Sequence, residues 1–349
     1  MTTVLMVSDP WAPTAQGVGD FAERLCQRLE EAGIDVTRFG RAHKSRRRMA
    51  ELLDEIGASN ADIIHIQCQR TGYARPFVSG MIARRVRTKP VVVTLHDYSS
   101  FRFYWRPWLA PLARCCATRI FTTAFDRTLF ELRFPKRSGF DTTIEIPSSL
   151  PVGTAPTRSP NKVIYFGQIA PREGIEEYLT FCEIVRTRAP DVSAALIGIV
   201  SDRHRHYADR MLRRAHAAGV EVACNLPPDE AADRMAQATF AYLPFPEGAS
   251  PGRHPLAATM VNGLAVVTPH TERTPDWLRA ATVSAATPEE ACRSIATLGT
   301  DDATRKRLIK RSAMAAKRFR WDSVTARHVE LYGRLLGLSD EMPGALATG

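Results

Sequence analysis

Two apolar patterns alternate along the chain. Short strand-like runs, rich in apolar residues, recur at 4–7 (VLMV), 35–39 (DVTRF), 61–67 (ADIIHIQ), 90–95 (PVVVTL), 120–123 (IFTT) and 143–147 (TIEIP). They resume at 163–167 (VIYFG), 194–198 (AALIG), 220–222 (VEV), 240–243 (FAYL) and 264–267 (LAVV). Runs of this length, bounded by turn residues, read as buried parallel strands. Between them apolar residues fall three and four apart, as Phe21, Leu25 and Leu29 do behind Gly17-Val18-Gly19-Asp20, and such spacing reads as an amphipathic helix. Strand–helix alternation of this kind predicts doubly wound α/β units. Pro147, Pro151, Pro156 and Pro160, among Gly, Ser and Thr, interrupt the series once. A linker there divides a first domain, 1–150, from a second, 161–318. The stretch FRWDSV at 319–324 opens a last helix running to about 337, and the small polar tail beyond it frays.

The length of 349 residues suits two domains. A composition 44% hydrophobic and 24% charged is that of a globular protein. No apolar run is long enough to span a bilayer, and the start, MTTVLMVSDPW, lacks the basic and apolar regions of a signal peptide. A cytoplasmic protein is expected. Seven cysteines, an odd number, argue against a disulfide framework. Cys115 and Cys116 are adjacent without a CxxC partner, so neither zinc nor any other metal or cofactor is expected. The formal charge of +10 suits an anionic membrane face or a phosphorylated substrate. It would also suit nucleic acid, but no recognition motif accompanies it, and no nucleic-acid partner is expected. The basic run from Arg41 to Arg48 (RAHKSRRR) fits a solvated loop and helix start, the commoner outcome. It equally fits contact with anionic lipid at the inner membrane face or with an anionic acceptor.

Ligands of open α/β sheets bind beyond the carboxyl ends of the strands. His65 and Gln67 fall there, as do His96, Asp97 and Tyr98. Gly17 and Gly19 follow the first strand, where glycine lets backbone approach a ligand. The aromatic stretch FRFYWRPW at 101–108 suits either core packing or stacking on a sugar or aromatic acceptor. The densest stretch is 242–268, YLPFPEGASPGRHPLAATMVNGLAVVT, which reads as strand, loop, helix, strand. Pro255 fits the first helical turn, and Asn262-Gly263 fits its stop. Glu247, Ser250, Arg253 and His254 crowd the strand-to-helix junction, where a helix N-terminus and backbone N–H groups favour an anion.

This stretch resembles the donor-site segment of the GT-B fold retaining glycosyltransferases of family four, E-G-(small or apolar residues)-P-L-x-E-A-M-A-x-G-x-P-V-V. Glu247-Gly248, Pro255-Leu256 and 260–267 carry the match. GVGDF, the HIQ and TLHDY strand ends, and the closing F-x-W helix also resemble the family. The resemblance implies two Rossmann-like domains facing a cleft, with the last helix crossing back to the first domain. It implies metal-independent hexosyl transfer with retention, by front-face attack, from a nucleotide-sugar donor to a small-molecule, glycan or lipid-linked acceptor. On it, His96 and Glu247 are the catalytic residues. Gly17, Gly19, Gly167, Gln168, Arg172, Ser250 and Arg253 bind the donor, and His65, Gln67, Asp97 and Tyr98 the acceptor. Three positions depart from the family: Gln168 and Glu173 replace the Arg and Lys that grip the diphosphate, and Ala258 replaces the Glu that binds the ribose. Arg253 and Arg172 are the cations nearest to that task. A non-catalytic nucleotide-sugar-binding homologue and a sugar-nucleotide epimerase of the same fold are the alternatives.

Overall fold

A computed structural model describes residues 1–8, 17–40, 46–70, 75–155 and 157–338. The chain forms two compact units. The first holds Met1–Glu145 and the segment from Trp321 onward; the second holds Ile146–Arg320.

The first unit runs β1 (Thr3–Val7), α1 (Val18–Glu31), β2 (Asp35–Phe39), α2 (Arg46–Ala58), β3 (Ile63–Cys68), α3 (Pro76–Arg85), β4 (Val91–Leu95), α4 (Arg106–Cys115), β5 (Thr118–Phe121), α5 (Ala124–Arg133) and β6 (Phe140–Thr143). Its six strands are all parallel, in the order β2-β1-β3-β4-β5-β6. The order reverses direction between β1 and β3, so their loops leave on opposite faces and open a crevice at the carboxyl edge. Side chains alternate across a strand. Leu5, Val7, Ile64, Ile66, Val91, Val93 and Leu95 pack in one core cluster with Ile56, Ile82 and Leu112. The alternate positions Met6, His65, Gln67 and Thr94 form a polar layer instead.

The second unit runs β7 (Ser159–Gln168), α6 (Ile175–Arg188), β8 (Ser193–Ile199), α7 (Arg205–Ala217), β9 (Glu221–Cys224), α8 (Pro228–Ala236), β10 (Ala238–Tyr242), α9 (His254–Val261), β11 (Ala265–Thr268), α10 (Asp276–Arg279), β12 (Val283–Ser284), α11 (Pro288–Thr300) and α12 (Asp302–Ala316). Its sheet is parallel too, in the order β12-β11-β10-β7-β8-β9. This is the doubly wound order of a dinucleotide-binding fold, with the reversal between β7 and β10. Each sheet face has its own apolar cluster, one around Tyr165, Tyr178 and Tyr242, the other around Phe166, Leu256 and Phe319.

The last helix, α13 (Trp321–Leu335), returns to the first unit. It buries Val324, Thr325, His328, Leu331 and Tyr332, one stripe of an α-helix. Arg327 ties it to the chain after β6 through the Glu145 carboxylate and the Thr143 carbonyl. The two Rossmann-like units and the returning helix agree with the architecture expected from the sequence.

The strand expected at 143–147 lies earlier, at Phe140–Thr143. Its pairing with β5, Thr118 against Phe140, sets the position, and Glu145 is taken up by Arg327 instead. Among the described residues no helix is long and apolar enough to cross a membrane.

Candidate functional site

In the second unit the loops after β7 and β10 meet at the sheet reversal. Gly174, with φ of 84°, precedes α6, and a Cβ there would lie 2.1 Å from the Pro244 carbonyl oxygen. Only glycine permits both the left-handed backbone and this approach. The Tyr165 hydroxyl donates to the carbonyls of Gln168 (3.2 Å) and Glu173 (3.0 Å), fixing the loop after β7 from below. Near the end of β7 a Cβ on Gly167 would stand 3.2 Å from the Tyr165 hydroxyl oxygen and in ordinary contact, 3.5 Å, with Pro255 Cγ of α9.

The loop after β10 is held from the other side. Gly248 has φ of 80°, and a Cβ would lie 2.4 Å from Thr271 Oγ1. That hydroxyl donates to the Glu247 carbonyl at 3.0 Å. Thr274 Oγ1 donates to the Ala249 carbonyl at 2.7 Å. The Gly252 N–H reaches Ser250 Oγ (3.4 Å) and the Arg253 N–H reaches the Ser250 carbonyl (3.0 Å), so Ser250 shapes the turn into α9.

Arg253 and two carboxylates converge on these loops. Its guanidinium lies 3.7 Å from Glu173 and 3.6 Å from Glu247, and 5.2 Å from the centre of the Phe245 ring. These are ion-pair distances too long for hydrogen bonds. Arg273 holds Glu247 more closely, at 3.0 Å. Burial raises the Glu173 carboxyl, Arg253 opposes this, and Glu247 adds to it. Gln168 and Arg172 are exposed on the neighbouring loop, Arg172 with a left-handed φ of 69°. Ala258 is completely buried among Leu256 and Met260.

In the first unit the sequence-derived residues separate. Gly17, with φ of 82°, opens α1 and accepts from the Phe21 N–H at 3.0 Å. Gly19 is buried inside α1. Residues 9–16 of that loop lie outside the described residues, as do residues 41–45 of the basic run; residues 46–48 begin α2. His65, Gln67 and His96 are brought together, but by burial: the first two are 0% exposed and His96 is 3%. His65 and Gln67, expected at the acceptor, lie within the sheet layer with their side chains 3.3 Å apart. The His96 ring meets Gln67 Oε1 through Nε2 at 2.9 Å and stands edge-on to Phe21, 5.3 Å between centroids. Asp97 is exposed at a left-handed turn with φ of 50°. That turn swings Tyr98 into the core against Phe121 and Phe130. The aromatic stretch divides: Tyr104 and Trp108 are exposed, 50% and 41%, whereas Phe101 and Trp105 pack on the core.

Several residues at these places carried no signal of their own. Arg273 and Thr271 follow β11, a strand end like those considered, but without a motif. Tyr332 and His328 lie on the last helix, where no motif marks them. Among the described residues no group of three or more His, Cys, Asp or Glu is arranged for a metal ion.

Solved structures share this fold over most of the chain. The Anabaena protein Alr3699/HepE in complex with UDP and glucose superposes with a TM-score of 0.69 at 16% identity, covering 96% of this chain and 100% of its own. Sucrose-phosphate synthase from Thermosynechococcus elongatus gives 0.69 at 14% identity, covering 97% and 100%. A glycosyltransferase from Rickettsia africae gives 0.68 at 11% identity, covering 96% and 98%. The chain has a GT-B-like glycosyltransferase fold. No protein-family model matches it, and no curated protein matches it. Identities this low carry the fold and leave the chemistry to the residues.

Proposed function

We propose that the chain transfers a hexosyl group from a nucleotide sugar to an acceptor hydroxyl, with retention and without a metal. The observation that carries this reading is the Arg253 cluster, set on the loops at the sheet reversal of a GT-B-like unit. Arg253 is bound loosely to Glu173 and Glu247, so a diphosphate can draw it away. Half-exposed ion pairs of this kind contribute little, about 0–1 kcal/mol. Arg253, Ser250 and the backbone around Gly167 and Gln168 then meet the donor phosphates, with Arg172 nearby. Charge-assisted donors aimed at the leaving group stabilise the negative charge that grows there. Glu247, oriented by Arg273, accepts hydroxyls of the sugar. His96 contacts the sugar or the acceptor alcohol, and the exposed Asp97 lies on the acceptor side. The bond from the anomeric carbon to the phosphate oxygen breaks, the bond to the acceptor oxygen forms on the same face, and the acceptor proton passes to the leaving phosphate.

The acceptor is a small molecule, a glycan or a lipid-linked saccharide. The enzyme works in the cytoplasm, and the basic run 41–48 meets an anionic membrane face. Neutralising Arg46, Arg47 and Arg48 should then weaken binding to anionic vesicles at low salt; unchanged binding removes that contact.

A second reading has its own support. Glu173 sits where a diphosphate would meet repulsion, and Ala258 offers no carboxylate, which suits a protein that binds a nucleotide sugar without turning it over. Calorimetry with UDP-glucose, GDP-mannose and dTDP-glucose, followed by product analysis, separates the cases. UDP-glucose comes first, since Alr3699/HepE is described in complex with it. Transfer or slow donor hydrolysis supports the enzyme, binding alone supports the second reading, and an epimerised sugar nucleotide would mean an epimerase. No binding of any nucleotide sugar would overturn the proposal.

A further inference from the structure

We propose that donor binding is coupled to the uptake of a proton: a diphosphate that takes Arg253 leaves Glu173 without a counter-ion, and the Glu173 carboxylate is protonated from solvent in the complex. The inference deepens the donor-site reading above and rests on it; the ion-pair geometry beneath it does not.

The two carboxylates on Arg253 are not equivalent. Arg253 Nη1 faces Glu173 Oε2 at 3.7 Å, and Nη2 faces Glu247 Oε2 at 3.6 Å. Glu247 has a second cation, since Arg273 Nη1 donates to the same oxygen at 3.0 Å. Glu173 has no such support. Among the described residues Arg253 is the one cation within ion-pair distance of it. Drawing Arg253 away therefore strands one carboxylate and leaves the other paired. The stranded group has little room to follow. The Glu173 N–H reaches the Ala170 carbonyl at 3.4 Å, and the Tyr165 hydroxyl donates to the Glu173 carbonyl at 3.0 Å. The side chain is 34% exposed, so water solvates a bare charge there only in part.

The charged and titratable groups of these loops are Arg253 and His254 at the start of α9, Glu247 after β10, Tyr165 on β7, and Arg172 and Glu176 in the segment of Glu173 itself. Burial holds the Glu173 carboxyl above its ordinary value; Arg253 opposes this and Glu247 adds to it. Burial also raises the Tyr165 phenol, which stays neutral. A diphosphate removes the influence of Arg253 and brings negative charge of its own. Both changes favour the protonated acid, which can then donate to a phosphate oxygen. The phosphates of a nucleotide sugar are diesters and keep their charge near neutral pH. Affinity therefore depends on pH in one direction. Above the Glu173 midpoint of the complex it is constant and weakest. Between that midpoint and the lower one of the free protein it rises about tenfold for each unit that pH falls. Below the lower midpoint it is constant again.

The test is calorimetric titration of UDP-glucose, GDP-mannose and dTDP-glucose into the full chain, in buffers of different ionisation enthalpy, between about pH 5 and 8. Wild type should take up protons on binding. Glu173→Gln should take up none, bind ~10-fold or more tightly at the alkaline end, and show no slope with pH. Binding by wild type without proton uptake overturns the inference. So does uptake that persists in Glu173→Gln, which would belong to another group such as His254. Carboxyl ¹³C spectra of the ligand-free chain give a readout that needs no donor. There Arg253→Ala should raise the Glu173 midpoint by ~1 pH unit or more; an unmoved midpoint also overturns the inference. A raised midpoint with no binding of any of the three nucleotide sugars, by wild type or by Glu173→Gln, places the fault in the donor-site reading, and the coupling falls with it.

Discussion

At the residue scale the proposed donor site depends on one guanidinium shared between two carboxylates. A charge-assisted hydrogen bond contributes roughly 1.5–3 kcal/mol, so Arg253→Ala should weaken nucleotide-sugar binding about ten- to a hundredfold. Calorimetry reads this directly, and unchanged affinity would place the phosphates elsewhere. Glu247 and His96 differ from Arg253 in the property they affect. Glu247 is gripped by Arg273 at 3.0 Å, and its proposed role is to meet hydroxyls rather than phosphate. Glu247→Ala and His96→Ala should each cut turnover strongly, with the far-ultraviolet circular dichroism unchanged; two fully active variants would move the site. The sequence pointed to Arg253, Glu247 and His96 through strand ends and motif spacing. It gave no sign that Tyr98 packs inward, because a left-handed residue at Asp97 turns the next ring toward Phe121 and Phe130, and no pattern at 96–98 announces that turn. It placed His65 and Gln67 at a strand end and gave no sign of their burial, because strand ends are legible but the helix that brings Tyr332 against His65 is not.

At the element scale the strands were legible because parallel strands buried on both faces are apolar throughout, as in VVVTL at β4. The helix α13 was legible as an element and illegible as a chemical partner. Its His328 is fully buried; Nδ1–H donates to the Val324 carbonyl at 2.7 Å, and Nε2 has no hydrogen-bond partner. Burial lowers its pKa from 6.5 to about 4. His65, buried beside it, is lowered well below its usual range for the same reason. Between these values the unfolded chain binds protons that the native helix refuses, so stability falls as pH drops from about 6.5 towards 4. Above 6.5 the contribution is complete. For His328 alone the loss is on the order of 3 kcal/mol at 1.36 kcal/mol per unit. Denaturant titrations of wild type and His328→Leu across this range should diverge in slope, the variant being flatter. Parallel curves would mean that the ring is protonated in the folded state at no cost.

At the scale of the whole molecule, chain order and structural units do not coincide. The second unit is continuous, Ile146–Arg320, whereas the first needs two pieces that are distant in sequence. The first sheet has one face closed partly by α13, through Val324, Leu331 and Tyr332, all nearly inaccessible, and through Trp321 stacked on Phe21 at 5.9 Å. Burying one large apolar side chain contributes about 1.5–3 kcal/mol. Losing this helix therefore removes about 5 kcal/mol or more, comparable with the whole stability of a domain, about 5–15 kcal/mol. A chain ending at Arg320 should thus keep the second unit folded and lose the first. Calorimetric melting should show one transition where the full chain has the unfolding heat of both units. Hydrogen exchange should find protection confined to residues 159–316. Nucleotide-sugar affinity carried by Arg253 should survive the truncation while all transfer is lost. A truncated chain whose β3 and β4 amides stay protected would show that the sheet closes without α13, and that its polar layer is held by the strands alone.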